Sequence, residues 1–329
     1  ARDMHRTSEG MGWMLRQVFE QISLKPVVKP LSDLVENRLK AAWSERPCPE
    51  CGAEGHIRTW DGCDRVRCRS CGHSPRYTSG TPFANKELAD GKLLLIFVLY
   101  VDTLLSTRAI SRLFTHDYHT IADAVDEFET AFLDGFPAVW AAIAPCVGGP
   151  TQVDETPQAC SGYKGQEPPR PGLERKGPVA PGRSRWSGNP GDEITVAGAC
   201  RGPLRVIRGL EGSKYEDELE LVLMETDDLS QEMGEVWSDA HRAYLAMEYE
   251  HKIVVHDDEF VTEDGVHTNQ VECLWSVTEP WLQKFRGLSK EGLQTAVHAF
   301  GFMRSLTLIK APIHGVIDCF ALSSLQDST

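Results

Sequence analysis

The sequence predicts an α/β protein, a mixed sheet flanked by helices, preceded by a small cysteine-built module and a helical segment. Three observations predict it. Two Cys-x2-Cys pairs fall within residues 46–83. From 86 to 140 apolar residues recur at intervals of three and four, the period of a buried helix face. After Gly148-Gly149-Pro150 the texture changes to short β-rich runs, then to strand and helix in alternation, the pattern of a mixed α/β domain.

Composition sets the outer limits. The chain has 329 residues, 41% hydrophobic and 25% charged, which excludes a disordered chain and leaves room for two domains or more. Its longest apolar run, from 93 to 101, has nine residues; a membrane-spanning helix needs about 20. The N-terminus shows no basic region followed by an apolar stretch and a small-residue cleavage site, so a cytoplasmic protein is expected. The ten cysteines then read as thiols or metal ligands rather than as a disulfide framework. With 34 basic against 48 acidic residues the net charge is −14, and only 12 of the basic residues are Lys. Acid-rich, Lys-poor surfaces stay solvated in concentrated salt, so a salt-adapted organism is expected. Any nucleic-acid site must be a local basic patch.

The elements follow in order. Residues 1–45 read as a helical N-terminal segment, with helices at 11–22 and 31–43 separated by Pro26 and Pro30. Residues 46–83 hold Cys48-Pro-Glu-Cys51 and Cys68-Arg-Ser-Cys71, separated by 16 residues. Each knuckle offers two thiolates from a tight turn, and zinc takes four such ligands in a tetrahedron. Gly52 and Gly72 follow the second cysteine of each pair, where the turn calls for positive φ. Cys48, Cys51, Cys68 and Cys71 are therefore the expected ligands of a structural Zn²⁺ in a zinc ribbon, and Cys63 is a bystander. Alternate Arg65, Arg67 and Arg69 would share one face of a strand, and a DNA-facing ribbon is favoured over a protein-facing one.

Residues 84–147 read as helical. Within them 106–114 and 121–132, joined by a short polar stretch, have the length of a helix-turn-helix. The second of these helices carries Asp123, Asp126, Glu127 and Glu129, so a plain helical linker stands as the other reading.

Residues 148–310 read as the α/β domain, followed by a C-terminal tail at 311–329. Strands are expected at 151–159, 194–199, 204–207, 236–238 and 252–255, helices at 215–224 and 240–250, and mainly helix from 268 onward. Between the first two strands, 162–191 is rich in Gly and Pro and locally basic. Lys164, Arg175, Lys176, Arg183 and Arg185 there are candidate phosphate contacts, against the plainer reading of a solvated loop.

Acids stand where chemistry can use them. Asp154 lies in an apolar strand context and Asp239 ends a short apolar strand. Asn269 and Glu272, three apart, share a helical face. Two Mg²⁺ ions that clamp a phosphodiester take oxygen ligands, so acids converging from two strands and a helix are the equipment required.

The ordered set resembles a known family, the insertion-sequence transposases of the DDE class that place a zinc ribbon ahead of an RNase H-like core. The resemblance runs from about Cys48 to Arg304. It rests on the ribbon with its trailing Thr-Ser-Gly-Thr-Pro-Phe83, on Val153-Asp-Glu-Thr156, on Ser238-Asp-Ala-His-Arg-Ala-Tyr244, on His267-Thr-Asn-Gln-Val-Glu-Cys-Leu-Trp-Ser276 and on Lys284-Phe-Arg-Gly-Leu-Ser-Lys-Glu-Gly-Leu293. It implies an RNase H-like sheet with Asp154 on the central first strand and Asp239 at the end of its neighbour. It also implies a catalytic Mg²⁺ or Mn²⁺ held by these acids and by Glu272 or Asn269, with Glu272 preferred because a carboxylate neutralises the cation. The partner implied is double-stranded DNA, both element ends and target, bound by a homo-oligomer at the prokaryotic nucleoid. Many relatives carry a basic residue two turns beyond the Glu; here that position is Glu279, followed by Pro280, which leaves Lys284 and Arg286 to take over the DNA contact. Two rival functions remain, a DNA-binding regulator descended from such an enzyme with a dead centre, and an RNase H-like nuclease without strand transfer.

Overall fold

The computed structural model describes residues 25–60, 62–144, 147–159, 193–210, 215–232, 234–239, 244, 249–255, 261–285 and 290–323. The chain divides into two compact units, Ala1–Ile143 with Lys310–Thr329, and Ala144–Ile309. The first unit contains α1 (Lys25–Glu45), the strand pair β1 (Ile57–Arg58) and β2 (Arg67–Cys68), and α2 (Asp90–Asp102), α3 (Thr107–Phe114) and α4 (Tyr118–Ile143). The second contains β3 (Thr151–Ala159), β4 (Glu193–Arg201), β5 (Leu204–Leu210), α5 (Tyr215–Ser230), β6 (Val236–Ser238), β7 (His251–Ile253), α6 (Asn269–Leu282) and α7 (Lys290–Leu308). The chain then returns to the first unit with α8 (Pro312–Ser323).

Several boundaries differ from the sequence reading, each for a physical reason. Helix α1 runs through Pro30 instead of starting after it. Pro26 sits in the first turn, where its missing N–H has no intrahelical acceptor, and Pro30 removes one bond close to the helix start. The long helical stretch after 86 breaks twice. Ser106 caps α3 by accepting the N–H of Ala109, and Thr115 ends it in the left-handed region at φ 54°. Asp117 then accepts the N–H of His119 at 2.8 Å to start α4.

The segment read as a C-terminal tail contains α8, which packs on α4 and α1. Phe320 of α8 meets Phe97 at 5.3 Å and Phe128 at 4.8 Å between ring centroids. Gly135 lies against the Cys319 backbone so closely that a Cβ would collide with it. Arg38 of α1 donates from Nε to Asp318 at 2.9 Å. A short apolar run far from its partners in sequence gives no sign of this packing.

In the second unit the sheet order is β5-β4-β3-β6-β7. β5, β4 and β3 are antiparallel neighbours, whereas β3, β6 and β7 run parallel. The fold class is thus mixed α/β, as the sequence predicts. Val196 and Ile207 of the sheet, Val271, Leu274 and Trp281 of α6, and Val297 and Phe300 of α7 form one buried cluster, and α5 packs on β4 and β5. The helices expected at 11–22 and 240–250 lie wholly and mainly outside the described residues, as does the basic stretch 162–191.

Candidate functional site

In the first unit, the four cysteines converge. Their sulfurs all lie within 4.8 Å of one another, with Cys48–Cys71 at 3.7 Å and Cys51–Cys68 at 3.8 Å. Four sulfurs about 2.3 Å from a tetrahedral zinc are spaced about 3.8 Å apart, so this set can hold a zinc ion. The two knuckles are built alike: Gly52 donates to the Cys48 carbonyl at 2.8 Å, and Gly72 to that of Cys68 at 3.1 Å. Both glycines have positive φ, 69° and 79°. Backbone N–H groups of Cys71 and Ser70, the former with the larger effect, hold the Cys68 thiol down at about 6 against the opposing effect of burial. Trp43 of α1 packs with Cys48, Ile57, Val66 and Cys68, and its indole donates to the Tyr77 carbonyl at 2.8 Å. The module leans on a helix because it is too small to bury a core of its own. Cys63 lies outside the four-sulfur group.

The strand register adds something that the sequence left out. Arg58 is paired directly with Arg67, and Arg65 with Arg76. Arg69 follows Arg67 by two residues and donates its backbone N–H to the His56 carbonyl. All five arginines are exposed, so one outer face carries cations directly opposite cations, an arrangement that destabilises a strand pair. Among the described residues the ion pair on this face is Arg76–Asp64, at 3.6 Å and exposed. Arg58 and Arg76 were visible in the sequence, but only the register shows them as partners of the predicted Arg67 and Arg65.

Helices α3 and α4 are joined by the short turn expected of a helix-turn-helix, and Arg108 of α3 lies 5.4 Å from the ring of Tyr118. His119 and Thr120 at the start of α4 are exposed, as are Asp123, Asp126 and Glu127 further along it. The acidic length argues against groove binding by this helix.

In the second unit, β3 pairs in parallel with β6 through Thr151–Val236 and Gln152–Trp237. Continued by two residues, that register sets Asp154 beside Asp239. Burial first, then the charges of Glu155 and Asp239, raise the Asp154 carboxyl to about 6, although the Glu155 backbone N–H and the Trp275 indole oppose the rise. Trp275 Nε1 donates to Asp154 Oδ2 at 2.9 Å. Gln152 accepts the backbone N–H of Gln270 at 2.7 Å and donates to His267 Nδ1 at 3.2 Å. These contacts bring the start of α6, with Asn269 and Glu272, to β3. Both residues are exposed, and Thr268 donates to Glu272 Oε1 at 2.8 Å. On the opposite side of β3, Tyr244 donates to Glu155.

Asp154, Asp239 and Glu272 are assembled only in part. Among the described residues the four cysteines are the group of three or more potential ligands whose atoms gather tightly; the three acids do not form another. Lys284 is half-buried, 4.2 Å from the Trp281 ring and 4.8 Å from that of Phe285. Arg286, Lys164, Arg175, Lys176, Arg183 and Arg185 lie outside the described residues. The sequence reading missed Gln152 and Trp275; the signal available was that Gln152 shares strand parity with Asp154 and that Trp275 follows Glu272 by three residues.

The chain matches no protein-family profile and no solved structure. It is 29% identical over 265 residues to a protein described as an uncharacterized protein in transposable element ISH50 of Halobacterium salinarum, an alignment covering 79% of this chain and 85% of that protein. A homologue of this chain is therefore a protein of a haloarchaeal insertion-sequence element. Among the described residues no helix is long and apolar enough to cross a membrane.

Proposed function

We propose that this chain is a DDE-class transposase that binds the ends of its element, cuts them in a cation-dependent hydrolysis and joins the freed 3′-hydroxyls to target DNA. The observation that carries the reading is the charge of Asp239 acting on Asp154, which agrees with the β3–β6 register continued by two residues. Two neighbouring half-buried carboxylates repel each other, and a divalent cation relieves that repulsion. Asp154, Asp239 and either Glu272 or Asn269 would hold Mg²⁺ or Mn²⁺. When bound, the cation supplies a polarised water and stabilises the charge that develops at the phosphorus. The sheet order, with β3 at its centre and β6 parallel beside it, supports an RNase H-like core of the kind that the family resemblance implies. Kinship to a protein of an insertion-sequence element points the same way.

Zinc at the four cysteines would fold the ribbon, and the arginine face would carry the DNA backbone. Phosphates would offer this face anions beyond the single carboxylate of Asp64 that pairs with Arg76. Working as a homo-oligomer at the nucleoid would let one assembly hold both ends.

A specific observation favours a second reading, a DNA-binding regulator with a dead centre: the three acids do not draw together into one ligand group. One assay separates the two. Labelled element ends incubated with the protein and Mg²⁺ should be cleaved and joined to a target plasmid, and Asp154→Asn or Asp239→Asn should bind the ends without cutting them. Binding without cleavage by the parent protein would favour the regulator, and cleavage without joining would favour a simple nuclease.

A further inference from the structure

Two hydrogen bonds fasten α6 to the strand that carries Asp154, and both are made by side chains on one face of that strand. Gln152 and Asp154, two residues apart, point to the same side of β3. Gln152, 1% exposed, accepts the backbone N–H of Gln270. Asp154 accepts the indole N–H of Trp275, which lies five residues further along the helix. The helix is thus fixed at two points.

The second point depends on a third residue. Gly198 is the partner of Asp154 on β4. A Cβ at Gly198 would sit 3.0 Å from Cζ2 and 3.1 Å from Cη2 of Trp275. The six-membered ring of the indole therefore crowds the space where a Gly198 side chain would begin, and glycine makes the room it needs to reach the carboxylate.

The type of donor matters. A Lys or Arg at this place would neutralise Asp154 and compete with any cation. An indole N–H only donates, carries no charge and cannot be titrated in the accessible range. It fixes the orientation of the carboxylate and leaves its negative charge in place.

We propose, on the basis of the acid-pair reading above, that Trp275 is a positioning residue that holds Asp154 in the orientation that takes a divalent cation, with Gly198 as its socket and Gln152 as the second anchor of α6. Groups that orient a metal ligand through a hydrogen bond typically change metal affinity by 10–100-fold when removed. Because Asn269 and Glu272 ride on the same helix, the clamp also sets where the third ligand stands.

The test follows the indole itself in the full-length protein. The Nε1–H signal of Trp275 is identified in a ¹H–¹⁵N spectrum by its loss in Trp275→Phe, and MgCl₂ is then titrated. In the parent the signal should move and saturate together with Mg²⁺ uptake measured by calorimetry; in Asp154→Asn it should not respond. Trp275→Phe should bind Mg²⁺ roughly tenfold more weakly or worse, with its circular dichroism and zinc content unchanged. Gly198→Ala, which keeps the indole but displaces it, should weaken Mg²⁺ in the same direction and covers the case in which Trp275→Phe folds poorly. If the parent takes up Mg²⁺ while the indole signal stays still, or if both variants bind Mg²⁺ like the parent, the positioning role is wrong. If the parent takes up no Mg²⁺ at all, the acid-pair reading itself fails and the role falls with it.

Discussion

Asp154 of β3 feels the charge of Asp239, the residue that follows β6, and the Gln152–Trp237 register of the two parallel strands, continued by two residues, sets one beside the other. The arrangement leaves a mark on protonation: burial and then the neighbouring acids raise Asp154 to about 6, from an ordinary 3.8. The folded protein consequently binds this proton more tightly than the unfolded chain does. Stability therefore falls as pH rises from about 4 to about 6, and above 6 the full penalty applies, on the order of 3 kcal/mol. Asp154→Asn keeps an acceptor for Trp275 and removes the charge. Thermal melts should show the variant to be more stable than the parent at pH 7.5 and equal to it near pH 4. An equal gap at both pH values would mean that the charge is not the cause. Saturating Mg²⁺ should narrow the gap at pH 7.5 by stabilising only the parent.

The third ligand can be identified by comparing two variants. Glu272 engages Thr268 and supplies a charge; Asn269 opens the helix one turn earlier and is exposed. A carboxylate neutralises a cation and an amide oxygen does not, so Glu272→Gln should lower the cleavage rate by two orders of magnitude or more, on the scale of a lost transition-state contact, and Asn269→Ala by much less. The reverse ranking in a cleavage time course would make the amide the ligand.

For the ribbon the expectation is one zinc per chain. Cys48→Ser with Cys71→Ser removes one ligand from each knuckle and should bring the metal content of purified protein to nearly none. Apart from the cysteines, the small cluster around the strand pair consists of Ile57, Val66, Trp43 and the partly buried Tyr77, too little to replace the metal, so strong chelation should unfold 46–83 and leave the α/β unit melting as before. Retention of one equivalent of zinc by the double variant would refute the assignment.

Much of this was legible because its signals are local. Cys48–Cys51 and Cys68–Cys71 announce themselves by spacing, and the strand context around Asp154 and the short apolar run ending at Asp239 mark strand positions. Other features depend on contacts that no short window holds. Trp275 and Asp154 are 121 residues apart, and Gln152 and Gln270 are 118 apart. The pairing of Arg58 with Arg67 needs the strand register, and the place of α8 in the first unit needs Gly135 to meet the Cys319 backbone and Phe320 to meet Phe97 and Phe128. Pro30 misled for the opposite reason: a local rule about helix breakers gave way near a helix start, where little hydrogen bonding is lost.

The arginine face yields a quantitative expectation for DNA binding. Arg58 opposite Arg67 and Arg65 opposite Arg76, with Arg69 continuing the row, form a basic patch within a chain of net charge −14. The row from Arg65 to Arg69 spans about 13 Å at 3.3 Å per residue, a length over which one strand of duplex DNA presents about four phosphates. Each neutralised phosphate contributes about 0.9 to the slope of log affinity against log salt. Changing all five arginines to Gln should therefore lower the slope measured by fluorescence anisotropy by up to about 4, and should weaken binding to unrelated duplexes as much as to element ends, since backbone contacts carry no sequence information. Neutralising Lys164, Arg175, Lys176, Arg183 and Arg185 instead tests the basic stretch of the α/β unit on the same scale. If the slope falls only with the second set, DNA runs past the α/β unit and the ribbon faces something else, such as an acidic protein surface. If it falls with both, by amounts that add, the two basic regions hold one duplex together. An unchanged slope in both variants would remove DNA from each of these faces and, with it, the structural basis for end binding.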